Sequence, residues 1–296
     1  MRSMLATVSA CALLICAEAA SAADIDWKKV DAAIGKTDAQ TGKVHRYGIP
    51  RSDLKVTVDG VDIKPGLALG GWVAFEDMGA SAMMMGDLVL TEPEINPVMS
   101  KLFENGIDVT AVHNHLLRAS PATFYMHVGA HGDPVKLAQG VREALAASKT
   151  PFEPAQAASA PAPDLGIDTA AIDEAIGFKG KNNGGIYAFG VPRSDEIKVE
   201  GMAVPGAMGT AIGINFQPTG GGKAAITGDF VARADEVAPL LKALRANGIE
   251  VTALHNHMLD DEPRAFFVHF WANDNAVKLA KGLRAGLDAV HVAKKG

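Results

Sequence analysis

What most constrains this chain is that it is written twice. Tyr47-Gly48-Ile49-Pro50-Arg51-Ser52-Asp53 returns as Phe189-Gly190-Val191-Pro192-Arg193-Ser194-Asp195, and the run from Asn105 to His115 returns from Asn247 to His257, each 142 residues later. Gly86-Asp87 with Gly228-Asp229, and His127 with His269, keep the same spacing. A period of that length is a whole domain rather than one unit of a solenoid. Two similar copies in one chain are expected to face each other about a pseudo-twofold axis, as an intramolecular counterpart of a homodimer.

The rest of the chain divides around the repeat. Residues 1–22 read as a signal peptide: Arg2 makes the start positive, the apolar run through Leu13-Leu14-Ile15 is too short to span a bilayer, and Ala20-Ser21-Ala22 offers the small residues that signal peptidase accepts. Repeat domain 1 is expected over 23–149 and repeat domain 2 over 166–296. The segment 150–165 between them, with Pro151, Pro154, Pro161 and Pro163 among alanines, reads as an extended linker. The protein is therefore expected to be periplasmic or secreted. Both cysteines, Cys11 and Cys16, lie in the leader, so a metal site in the mature chain has only His and carboxylates to draw on. At 48% hydrophobic and 21% charged residues the composition is globular, and a net charge of −6 lacks the basic footprint of a nucleic-acid binder.

Within each copy the pattern predicts an α+β unit of ββαββα type, an antiparallel sheet with helices on one face. Short helices are expected from Trp27 to Gly35 and from Thr169 to Gly177. Residues 67–76 with 82–90, and 211–217 with 223–232, alternate like the arms of hairpins. Thr91-Glu92-Pro93-Glu94 is a capping box that opens a helix ending at Asn105-Gly106. Strands are expected over 107–117 and 123–128, and Asp133-Pro134 opens a last helix. Gly220-Gly221-Gly222 reads as a hairpin tip rather than a phosphate loop. Arg51 with Asp53, and Arg193 with Asp195, read as structural ion pairs, and Met83-Met84-Met85, which meets Ala225-Ile226-Thr227 in the second copy, as core packing.

The chemistry lies in the histidines. Six of the nine belong to the repeat: His113, His115, His127, His255, His257 and His269. Residues i and i+2 of a strand share a face, so His113 and His115 project together, as do His255 and His257. A turn centred on Ser120 sets His113 opposite His127, and one centred on Glu262 sets His255 opposite His269. Three imidazoles in each copy can then surround Zn²⁺, Cu²⁺ or Ni²⁺ and leave a position open. Metal-free hydrogen bonding among the same rings is the alternative. His131, which meets Asn273, and His45, which meets Tyr187, can extend the set in the first copy only. Asp87 and Asp229 are candidates to fix a histidine tautomer.

Gly86 to Leu90, Glu92 to Ser100, Asn105 to Leu117 and Tyr125 to Pro134 together resemble the LppY/LpqO-type family of exported bacterial proteins, and a diverged version of these motifs covers the second copy. The resemblance implies an exported, duplicated domain of unknown function and brings no catalytic residues with it. Three functional readings remain open. The first is an exported protein that binds a divalent transition metal or small ligand through the six histidines. The second is a metal-dependent hydrolase or lyase in which Glu76, Asp87 or His131 moves protons. The third is a metal-free module that binds a small molecule or a cell-wall fragment between the copies.

Overall fold

The computed structural model describes residues 24–152 and 163–294, so the expected signal peptide and most of the expected linker lie outside the described residues. The first copy runs α1 (Trp27–Ile34), β1 (Ala39–Thr41), β2 (Val44–Pro50), β3 (Val56–Val58), β4 (Val61–Ile63), α2 (Pro65–Ala68), β5 (Gly70–Asp77), β6 (Ala82–Thr91), α3 (Ile95–Glu104), β7 (Asp108–His113), β8 (Thr123–Gly132) and α4 (Pro134–Leu145). The second runs α5 (Thr169–Ile176), β9 (Lys181–Asn183), β10 (Ile186–Val191), β11 (Lys198–Val199), β12 (Met202–Ala203), a 3-10 turn (Gly206–Met208), β13 (Ile212–Gly220), β14 (Lys223–Arg233), α6 (Ala234–Ala246), β15 (Glu250–His255), β16 (Asp261–Glu262), β17 (Ala265–Asn275) and α7 (Ala276–Leu287). Each copy is thus mixed α+β, and its main sheet is antiparallel with six strands. The orders are β1-β2-β5-β6-β8-β7 and β9-β10-β13-β14-β17-β15.

Local signals act where the sequence places them. Glu94 closes the capping box by accepting the Thr91 N–H at 2.8 Å, and Asp133 caps α4 by accepting from Val135 at 2.9 Å. In the second copy Asn275 takes the place of that aspartate and accepts from Lys278 at 3.0 Å. Gly220, Gly221 and Gly222 all have positive φ and turn β13 into β14, as only glycine does without strain. Arg51, 1% exposed, pairs with Asp53 and Glu94 and donates to the Val89 carbonyl, tying the end of β2 to β6 and to the start of α3. Arg193 repeats this with Asp195, Glu236 and the Val231 carbonyl.

The helices cover one face of each sheet. In the first copy Val98, Leu102, Leu137 and Val141 pack on Phe75, Met84, Leu88 and Leu90. Because side chains alternate along β6, Met83, Asp87 and Val89 point the other way, where a surface of this apolarity has to be covered. The second copy covers it. Val44, Trp72 and Met83 meet Val204 and Met208, and Leu67, Leu69 and Tyr125 belong to a cluster with Ile186, Ala225 and Trp271. At the neighbouring edges of the two sheets the Thr110 hydroxyl donates to the His257 carbonyl and the Thr252 hydroxyl to the His115 carbonyl. Likewise the Asn114 amide donates to the Thr252 carbonyl and the Asn256 amide to the Thr110 carbonyl. Shifting each bond by the 142-residue repeat turns it into its reciprocal, which is the pseudo-twofold expected from the repeat.

Three details differ from the sequence reading. The sheet gains outer strands from β1, β2 and their counterparts, which carry few alternating residues. The strand expected over 107–117 stops at His113, because Asn114 turns across to the other copy. The hairpin register is two residues away from the expected one: His113 pairs with Tyr125 and His127 with Ala111, next to a bulge between Val109 and Ala111. The second copy shows the same shift, with His255 opposite Phe267 and His269 opposite Ala253. A shift of two keeps every side chain on its face, so the histidines stay together.

Candidate metal centre between the two copies

His113 and His255 end β7 and β15, His115 and His257 follow two residues later, and His127 and His269 come from the middle of β8 and β17. All six project into the gap between the sheets, where they form one cluster rather than a separate triplet in each copy. His113 stacks on His255 with ring centroids 3.5 Å apart and His127 on His257 at 3.7 Å, while His115 lies tilted against His269 at 3.6 Å. The last two pairs exchange under the pseudo-twofold, and the first lies across it.

Burial drives every one of these imidazoles towards the neutral form, and His113 and His269 are lowered to about 4. Neutral imidazole is the form that ligates metals, so the proton's place on each ring matters. His113 Nδ1 is 3.0 Å from the Asn114 carbonyl, His255 Nδ1 is 3.0 Å from the Asn256 carbonyl, and His269 Nδ1 is 2.7 Å from the Gly228 carbonyl. A carbonyl only accepts, so these three rings carry the proton on Nδ1 and present a lone pair at Nε2. His113 Nε2 is also 2.8 Å from His127 Nε2, which is then the donor of that pair.

Several of the inward atoms are without partners. Nε2 of His115, His255, His257 and His269, and Oδ1 of Asp87 and Asp229, are buried and accept or donate no hydrogen bond among the described residues. Ligand atoms of Asp229, His255, His257 and His269 all lie within 4.8 Å of one another, as do those of His113, His115 and His269, and those of His113, His127 and His255. Asp229 approaches His257 Nε2 to 3.3 Å and Asp87 approaches His115 Nε2 to 3.7 Å. Burial and the charge of Asp229 push the Asp87 carboxyl well above its ordinary range. Burial raises Asp229 to about 6, with His269 acting against the rise.

A cavity of about 480 Å³ opens beside the cluster. It is lined by corresponding residues of both copies, Asp87 with Asp229 and His115 with His257, so it lies on the local twofold. Arg46 breaks that symmetry, since Ala188 stands at its place in the second copy. Its guanidinium lies 3.8 Å above the Trp72 ring and donates to the Ala207 carbonyl at 2.6 Å. Burial lowers it to about 10, with Asp87 acting in the other direction. The sequence reading passed over both Arg46 and Trp72. The one signal for Arg46 was a cation on the Val44, Arg46, Gly48 face of a strand whose opposite face carries Tyr47 and Ile49.

Of the further candidates, Asp87 lines this cavity and Glu76, near the end of β5, does not. His131, 39% exposed, faces Glu200 at 3.7 Å in a separate cavity of about 160 Å³. His45 binds Asp38 at 2.5 Å and stacks on Trp27, away from the cluster. Met84 packs under the helices and Met83 between the copies.

The family model described as Domain of Unknown Function (DUF1259) matches residues 28–147 and again residues 170–289. The chain belongs to that family. Its two DUF1259 copies are the two halves between which the histidines gather. No curated protein matches the sequence. Among solved structures, the trimeric bacterial microcompartment shell protein PduB is similar at 14% identity over 85% of this chain and 90% of that one, with a TM-score of 0.20. EtuB from Clostridium kluyveri is similar at 9% identity over 84% and 90%, also with a TM-score of 0.20. Among the described residues no helix is long and apolar enough to cross a membrane.

Proposed function

We propose that the protein binds a divalent transition metal, Zn²⁺, Cu²⁺ or Ni²⁺, in the shared histidine cluster. His255, His257 and His269 with Asp229 form the main ligand set, and His113, His115 and His127 complete it from the other side. One observation carries this reading: four imidazole Nε2 atoms and two carboxylate oxygens converge in a buried space without hydrogen bonds. Each such atom costs about 1–3 kcal/mol when left unpaired, and one cation among Asp229, His255, His257 and His269, whose ligand atoms lie within 4.8 Å of one another, satisfies the share of those four. The backbone carbonyls that hold the Nδ1 protons of His255 and His269 act as the outer support that metal-ligating histidines ordinarily have. The test is elemental analysis of the mature chain purified without tag or chelator, beside His113→Ala and His255→Ala. Near-stoichiometric metal that falls in His255→Ala is expected. A wild-type chain that takes up none of the three ions overturns the reading.

A metal-dependent hydrolase or lyase is the second reading, favoured by the cavity that brings Asp87 to the edge of the cluster. It requires turnover that depends on metal and is lost in Asp87→Asn with the metal retained. The leader-like residues 1–22 and the LppY/LpqO-type motifs support export, for which the mature N-terminus should be Ala23.

A further inference from the structure

The cavity beside the cluster has a polar floor, a cationic side and apolar walls. Asp87 and Asp229 stand at the floor among the histidines, and Trp72 and Leu67 line the walls. Arg46 is pre-positioned. Its guanidinium lies over the Trp72 ring and is fixed by the Ala207 carbonyl, and among the described residues it makes no ion pair and no other hydrogen bond. One carbonyl bond leaves most of the five guanidinium N–H donors unused, in a fork whose geometry matches a carboxylate. The Trp72 ring is itself seated against Gly209, where an added Cβ would lie 3.3 Å from the ring and φ is +101°. A desolvated cation held in this way, within a cavity of ligand size, calls for an anionic partner.

The surroundings narrow the anion. Among the described residues Arg46 is the one cation lining the cavity and the Asp229 carboxylate shares it, so a multiply charged phosphate meets more repulsion than a single carboxylate does. The apolar walls suit a short carbon skeleton. The unpartnered oxygens of Asp87 and Asp229, and the histidine cluster beside them, suit a hydroxyl or amine at the other end of that skeleton.

We propose that the cavity binds a small hydroxy- or aminocarboxylate, its carboxylate paired with Arg46 and its polar end directed towards the Asp and His floor. Only the engagement of that polar end by a metal rests on the metal-binding reading; the pairing with Arg46 does not. The asymmetry of the two copies follows, since Ala188 leaves a single anchoring point on the twofold and hence one ligand per chain.

The test is calorimetric titration of DL-lactate, glycine and inorganic phosphate into the zinc-loaded and the metal-free chain, wild type and Arg46→Met. Methionine keeps an apolar stem on Trp72 and removes the charge. Lactate or glycine should bind the wild type more tightly than phosphate does, and bind Arg46→Met about ten- to a hundredfold more weakly, as loss of a charged hydrogen-bonded pair predicts. Zinc stoichiometry should be the same in both chains. Arg46→Lys, which keeps the charge but not the fork, should fall between them. Equal affinity in wild type and Arg46→Met, preference for phosphate, or no binding of either carboxylate overturns the proposal, whether or not zinc is bound. If none of Zn²⁺, Cu²⁺ and Ni²⁺ is taken up and Arg46-dependent carboxylate binding persists, the metal reading falls and this one stands.

Discussion

Replacing Gly228 with alanine tests how the sheet is built to present the site. A Cβ on Gly228 would lie 2.0 Å from the Gly213 carbonyl oxygen, 2.9 Å from its carbon and 3.0 Å from the Phe270 ring. The closest of these is about 1.4 Å short of ordinary contact, and the atom it meets is backbone, so no rotamer relieves it. β13 and β14 have to separate around the pairs Gly213 with Asp229 and Ile214 with Gly228. Overpacking of about 1–3 kcal/mol and about 1 kcal/mol for each of one or two weakened ladder bonds oppose the gain of about 0.4–1 kcal/mol from stiffening the unfolded chain. The expected net loss is about 3 kcal/mol. Gly48→Ala is the control, because its Cβ meets nothing within 4 Å, and it should be neutral or slightly stabilising. Urea unfolding followed by circular dichroism measures both. The same displacement moves the Gly228 carbonyl away from His269 Nδ1 and turns the neighbouring Asp229, so metal uptake should weaken as well. A Gly228→Ala chain as stable as Gly48→Ala would refute the claim that the close strand approach excludes a side chain here.

Two other outcomes are expected. Burial pushes the Glu94 carboxyl up, but hydrogen bonds from Arg51, Thr91 and Lys149 outweigh it and take the group from 4.5 down to about 2. A depressed folded-state value means stability that is present above about pH 4.5 and is lost as pH falls towards 2, worth about 2 kcal/mol after allowance for solvent screening; Glu94→Gln should flatten that part of the pH profile, and an unchanged slope would contradict the ion-pair account. Thr252→Val keeps the shape but removes the donor to the His115 carbonyl across the copies, and should cost about 1–2 kcal/mol in the same urea assay; no loss would mean that this bond does not help to join the copies.

Much of the fold is legible before folding, because its determinants are local. The capping box at Thr91 and Glu94, the Asp133-Pro134 start of α4 and the glycines at 220–222 act within a few residues. The shared face of His113, His115 and His127 follows from a period of two, which survives the two-residue shift in register. The outer strands β1 and β2 were missed because β2 alternates weakly around His45, Arg46 and Gly48 and is held in the sheet by pairing with β5. Arg46 was missed for a related reason. Only its contacts with Trp72 and Ala207, remote in the chain, distinguish it from a solvated surface cation.

By itself, then, the sequence determined that there are two copies, that each is an α+β unit with helices on one side, and that each directs three histidines to one common face. Periodicity states which face a side chain takes, but it is silent about what covers that face. Tertiary structure decided the rest. By laying the uncovered faces against each other, it interleaved His115 with His269 and His127 with His257, merged two triplets into one cluster, and set a single arginine over a cavity that both copies share. These are contacts between residues more than a hundred positions apart, fixed by the burial of apolar sheet faces rather than by any local pattern.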